Sequence, residues 1–129
     1  MHKELLNVDD IRQLVDTFYD KVRQDELLKD IFNERIGNRW PEHLEKMYRF
    51  WQTVLLGEHT YYGNPFVPHA QLPVAKEHFN RWLQLFFENI EEQFTGEKAT
   101  EACWRAGKMA EMFQVKIEYY RAHPNTSIL

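Results

Sequence analysis

Two of the six histidines, with one tyrosine and one tryptophan, are the residues of this chain whose types and positions could do chemistry. His69 sits in Tyr61-Tyr62-Gly63-Asn64-Pro65-Phe66-Val67-Pro68-His69-Ala70-Gln71-Leu72-Pro73, a stretch that holds three of the five prolines. Prolines on both sides limit how far a helical turn around it can extend. His43 lies on an apolar helical face, in line with Met47, Phe50, Trp51 and Val54. Alone, the first reads as a solvated loop histidine and the second as a hydrogen-bonded core histidine. Set beside four Trp, six Tyr and nine Phe, they also fit a cofactor held by one axial imidazole. Such a site needs a neutral ring nitrogen aimed at a metal, an apolar slot, and polar donors on the far side. His69 can supply the nitrogen. Phe50, Trp51, Phe66, Phe79 and Phe86 can supply walls, and Tyr19, His43 and Trp82 the donors.

Other chemistries lack their residues. A closed zinc site needs four N or S ligands, and the chain has one cysteine, no Cys-x-x-Cys and no His-Glu-x-x-His. A di-iron carboxylate bundle needs two Glu-x-x-His pairs, whereas Glu77 and His78 are adjacent and His43-Leu44-Glu45-Lys46 runs the wrong way. No phosphate-binding Gly-x-x-x-x-Gly-Lys loop and no Gly-x-Ser-x-Gly elbow occurs. Cys103 falls on an apolar helical face and reads as packing. A lone cysteine excludes an internal disulfide and fits a reducing compartment. The N-terminus has no apolar stretch of the signal-peptide kind, so a cytoplasmic location is expected. Net charge is −4 with signs interspersed, which gives no footprint for nucleic acid or an anionic membrane.

The elements that must position these side chains follow from periodicity. Ile11, Leu14, Val15, Phe18, Tyr19 and Val22 predict an amphipathic helix over 9–23, with Tyr19 on its buried face. Asn7 or Asp9 can cap it, and Asp9 and Asp10 suit its positive end. Leu27, Leu28, Ile31 and Phe32 read as a short turn, and 33–39 as a connection containing Gly37. A second helix is expected over 41–56, opened by Pro41 and stopped by Gly57. The proline-rich loop, 58–73, comes next. Phe79, Trp82, Leu83, Phe86, Ile90 and Phe94 predict a third helix over 74–94. Ala99, Cys103, Ala106, Ala110, Phe113, Ile117 and Tyr120 predict a fourth over 97–121, whose small residues allow a close crossing. The last two should pack as an antiparallel pair, covered on one side by the rest. Nothing alternates with period two, so the class is all-α: one domain over 1–129, with its core in 8–120 and a frayed tail from His123.

Several motifs recur in a specific order: Phe18-Tyr19; His43 ahead of Phe50-Trp51; Leu55-Leu56-Gly57-Glu58; Tyr61-Tyr62-Gly63-Asn64-Pro65; His69-Ala70-Gln71-Leu72-Pro73; and Arg81-Trp82-Leu83-Gln84-Leu85-Phe86. Together they resemble a truncated haemoglobin of the third group, a bacterial globin family, over residues 8–120. The paired-glycine motifs of the first two groups are absent, as expected for the third. The resemblance implies a two-over-two α-helical sandwich around one b-type haem, iron protoporphyrin IX. No Cys-x-x-Cys-His is present for covalent attachment. It implies His69 as the proximal iron ligand and Tyr19 and Trp82 as distal donors. His43 takes the distal histidine position, which can line the pocket, gate it or bind iron. Met47 falls at an apolar distal position, and Phe50 and Trp51 pack beside the porphyrin. Lys46 is the implied propionate partner, with Tyr62, Arg49 and His78 as weaker ones. The implied partners are dioxygen, carbon monoxide or nitric oxide, and a reductase if there is turnover. Nitric oxide oxidation or peroxide chemistry is one use of such a haem; a ligand sensor or binding module without turnover is the alternative. A haem-free helical bundle serving protein interaction is the third reading.

Overall fold

A computed structural model describes residues 2–70 and 72–124. It contains five helices: α1 (Val8–Gln24), α2 (Lys29–Ile36), α3 (Trp40–Leu56), α4 (Lys76–Gln93) and α5 (Glu97–Ala122). The long connection from α3 to α4 carries a 3-10 turn, Val67–His69. Periodicity placed four of the helices to within two residues at either end. The expected turn and connection over 27–39 is instead the short helix α2. Its apolar positions, Leu28, Ile31, Phe32 and Ile36, keep helical spacing, and Ile36 is buried. Its start is held from outside: the Asp25 carboxylate accepts the backbone N–H groups of Leu27 and Leu28, both at 3.1 Å. The same carboxylate pairs with Arg81 of α4 at 2.6 Å, tying the α1–α2 corner to the other layer.

The start of α1 is closed by a capping box. Asn7 Oδ1 accepts the Asp10 N–H at 3.0 Å while Asp10 Oδ2 accepts the Asn7 N–H at 3.2 Å. Gly57 ends α3 in the left-handed region at φ 70°, and the next N–H, of Glu58, reaches back to the Gln52 carbonyl. Of the expected tail, His123 stays attached through Nδ1 to the Tyr119 carbonyl, and 125–129 lie outside the described residues.

Helices α1 and α3 form one layer and α4 and α5 the other, a two-over-two sandwich. Trp51 of α3 stacks on Phe86 of α4 at 5.3 Å, and Phe18 of α1 meets Phe86 edge-on at 5.2 Å. Full burial of each such side chain contributes roughly 1.5–3 kcal/mol. Ala99, Ala102, Ala106 and Ala110 face the core from α5 and let its backbone approach closely. One polar bridge crosses this interior. Asn89, fully buried, donates from Nδ2 to the Leu14 carbonyl at 3.2 Å, and accepts from Gln93 at 2.8 Å. A two-residue parallel pairing, β1 (Lys3–Glu4) with β2 (Phe94–Thr95), is the one strand contact among the described residues, and the all-α class stands. Glycine is required beside it: Gly96 has φ 96°, and a Cβ there would meet the Glu4 side chain at 3.4 Å. Among the described residues no helix is long and apolar enough to cross a membrane.

Candidate functional site

The prolines around His69 shape its approach. Asn64 Oδ1 accepts the Phe66 N–H at 3.0 Å and starts the turn. The Val67–His69 turn then closes through the His69 N–H to the Phe66 carbonyl at 2.8 Å. The His69 ring is fixed by two contacts. Nδ1 lies 2.6 Å from the Pro65 carbonyl, which can only accept, so Nδ1 carries the proton. Nε2 is thereby left as the lone-pair nitrogen, the tautomer a metal-ligating histidine uses. The ring also rests against Phe113 of α5 at 4.8 Å. Burial pulls its pKa below the ordinary histidine value; the Pro65 contact opposes this and the Arg35 charge adds to it. The ring is therefore neutral near pH 7.

Across a cleft stands a wall made by α1, α3 and α4. Tyr19 is 7 % exposed and meets the His43 ring edge-on at 5.0 Å. Trp40, the first residue of α3, packs on both, at 5.7 Å from Tyr19 and 5.6 Å from His43. Trp82 stacks on Phe86 at 5.6 Å. His43 Nε2 is buried with no hydrogen-bond partner among the described residues. Burial lowers the His43 pKa to about 4, and the neighbouring His69 and Lys46 push it the same way. Burial likewise raises the Tyr19 phenol, so it stays a neutral O–H donor.

The cleft between these walls takes in Tyr19, His43, Lys46, Met47, Phe50, Trp51, His69, His78, Phe79 and Trp82, all of which sequence reasoning selected. Its cavity volume is about 170 Å³. Four expected members are placed elsewhere. Tyr62 is 85 % exposed and donates its hydroxyl to the His59 carbonyl. Phe66 is buried instead in a separate cluster with Val74, Phe113 and Ile117, and Phe86 lies beneath Trp51 and Trp82 rather than at the surface of the cleft. Arg49 is exposed beside Glu45 at 3.6 Å. His78 reaches the cleft, and its Nδ1 accepts the Ala75 N–H at 2.9 Å, capping α4. Sequence reasoning missed Phe18, Leu28, Phe32, Met109 and Phe113 as lining residues. Phe113 stood on the stripe of α5, but its spacing did not say which end of that stripe faces the cleft. Among the described residues no group of three or more His, Cys, Asp or Glu could hold a metal ion.

A sequence model of the family described as Bacterial-like globin matches residues 6–117. This chain belongs to that family. It is 38 % identical over 127 residues to the Group 3 truncated hemoglobin ctb of Campylobacter jejuni, covering 95 % of this chain and all of that one. The crystal structure of group III truncated hemoglobin from Campylobacter jejuni superposes with a TM-score of 0.84 at 38 % identity, covering 91 % of this chain and 95 % of the other. The fold is that of a truncated globin of the third group.

A globin implies a haem, and the residues of this cleft fit one. The walls are largely aromatic and aliphatic, which suits a flat apolar ring. His69 presents a lone-pair nitrogen from one side, with its other nitrogen engaged. His43 Nε2 is a buried polar atom with no protein partner, an arrangement that costs free energy unless a bound group meets it.

Proposed function

We propose that this globin binds haem b through His69 and holds a diatomic ligand, dioxygen foremost, against the wall of Tyr19, His43 and Trp82. Residues 1–129 act as one such domain. The observation that carries the reading is the pair of imidazoles facing one apolar cleft: His69 oriented by Pro65, and His43 with a buried unpartnered Nε2. When bound, haem supplies the iron at which a diatomic ligand is taken up. The chain supplies what surrounds it. His69 donates a nitrogen lone pair, and the Pro65 carbonyl keeps that nitrogen deprotonated and its ring oriented. Tyr19 O–H and Trp82 N–H are donors toward a ligand that gathers negative charge. Met47, Phe50 and Trp51 exclude water, which strengthens each such bond. Lys46 at the mouth is the partner for a propionate.

Purified protein reconstituted with haem should show a Soret band at one haem per chain, and ferrous protein should shift it on adding carbon monoxide. Absence of the band after reconstitution would leave a helical sandwich without its cofactor and end this reading. Turnover of nitric oxide or peroxide, with a reductase, is the second use of the same site. Mixing the oxygenated protein with nitric oxide and following nitrate separates it from ligand binding alone.

A further inference from the structure

The mouth of the cleft continues into a side arm beneath α2, and His43 stands between the two. Its ring lines the cleft with Tyr19 and Trp82, and the arm with Arg39, Glu42 and Lys46. Among the described residues no hydrogen bond holds the buried Nε2. Two opposed effects therefore decide which way the imidazole turns. A buried polar atom without a partner favours the arm, where the ring meets water, while aromatic edge contacts of comparable size favour the cleft. Tyr19 meets the ring at 5.0 Å with an interplanar angle of 86°, and Trp40 meets it at 5.6 Å with an angle of 90°.

Trp40 differs from the other two rings in its place. It is 6 % exposed and lines neither the cleft nor the arm. It lies three residues before His43 on α3, so the two side chains share a face of that helix. It also touches Tyr19 at 5.7 Å, which closes a triangle of rings across α1 and α3. Arg23, in the last turn of α1, lays its guanidinium over the Trp40 ring at 4.4 Å. Indole is the best aromatic partner for a cation, so Trp40 is fastened to α1 as well as to its own helix.

We propose that Trp40, held by Arg23, is a positioning residue that keeps the His43 imidazole turned into the cleft and out of the side arm. It lines no part of the site and acts through His43. What His43 then does beside a bound ligand rests on the haem reading above; where its ring lies does not.

Trp40→Leu, Trp40→Phe and Arg23→Gln separate this from a merely structural role. The Tyr19–His43 ring contact is read by NMR as proton cross-relaxation, in haem-free protein and in the ferrous carbon monoxide complex. Wild type should show the contact. Trp40→Leu should lose it, Arg23→Gln should weaken it, and Trp40→Phe, which keeps an aromatic ring there, should recover it. In the carbon monoxide complex the C–O stretch of Trp40→Leu should move toward its position in His43→Leu. Adding Trp40→Leu to His43→Leu should move it no further, because residues that act as one unit are not additive. A ring contact in Trp40→Leu as strong as in wild type, or a C–O shift that adds to that of His43→Leu, overturns the proposal. Circular dichroism checks that the helices persist. If Trp40→Leu does not fold, Arg23→Gln, whose side chain is exposed, decides by the same ring contact. No Soret band in any form ends the haem reading, and the ring contact in haem-free protein still decides on Trp40.

Discussion

The two sides of the cleft are built by different means. The distal wall is three helices deep: Tyr19, His43 and Trp82 come from α1, α3 and α4, interlocked through Phe18, Trp40 and Phe86. The proximal side is a connection of nineteen residues, 57–75, that carries the 3-10 turn Val67–His69. It is held by side-chain-to-backbone bonds, such as Thr53 Oγ1 accepting the N–H groups of Thr60 and Tyr61, and by a small cluster around Phe66 and Phe113. The distal wall is therefore preorganised by packing, and its geometry does not wait for a cofactor. Among its described residues the proximal segment buries only Phe66 and Val74 fully, so a metal bond at His69 would contribute a large share of its order.

His69→Ala tests the comparison at its strongest point. Haem retention through gel filtration should be lost while circular dichroism stays helical, because no helix depends on that ring. Added imidazole should restore a Soret band. In wild type, haem should slow hydrogen exchange most within 58–73 and least in α1 and α4. Uniform protection would erase the proposed difference between the two sides.

Truncating one aromatic on each side separates them further. Phe86 is 1 % exposed, and Trp51, Trp82 and Phe18 all rest on it. Phe86→Ala should cost about 3–5 kcal/mol in global unfolding, with or without haem. Phe113, 4 % exposed, supports Phe66 and the His69 ring. Its replacement by alanine should cost a similar amount, but should also speed haem loss out of proportion to the change in Tm. Equal haem loss from the two variants at matched stability would count against a separate proximal cluster.

The same division explains what could be read from sequence. The long helices were legible because each repeats its apolar stripe over four or more turns, and Asn7, Pro41 and Gly57 mark ends by local chemistry. Tyr19, His43 and Trp82 were legible as a group for that reason: a helical register fixes which face a residue takes. α2 was not, since two turns hold too few apolar positions to tell a helix from a turn, and its start is held by Asp25 from outside it. Tyr62 and Phe66 were misplaced because no periodicity governs a proline-rich connection. Arg35 went unremarked because it comes to the cleft on the unforeseen helix, and Arg39 because it lies in the short connection beyond that helix.

Protonation gives a third probe of the distal wall. The folded His43 pKa, about 4, lies below the ordinary value of 6.5, so between these values the unfolded chain binds a proton that the folded one does not. Stability of the haem-free protein should thus fall as pH drops from 6.5 toward 4, by on the order of 3 kcal/mol, and show no contribution from this group above that window. Denaturant titrations across pH would measure it. His43→Leu should flatten the slope, leaving the part due to His69, whose pKa is shifted the same way. An unchanged slope would place His43 in water rather than in the wall.

The smallest expected effect discriminates between donors within that wall. A hydrogen bond to a partly charged acceptor in a dry site is worth about 1–2 kcal/mol, or roughly tenfold in a rate. Tyr19→Phe removes the O–H and keeps the ring that packs on Phe18 and Trp40. Oxygen release, measured by carbon monoxide displacement, should then accelerate about tenfold, while carbon monoxide, a poorer acceptor, should leave at nearly the wild-type rate. Trp82→Phe removes the indole N–H but also some of the stack on Phe86, so its effect should reach both ligands. A change shared equally by oxygen and carbon monoxide in Tyr19→Phe would mean that the phenol shapes the wall without donating. The distal side would then act through packing alone, and His43 would become the donor to test.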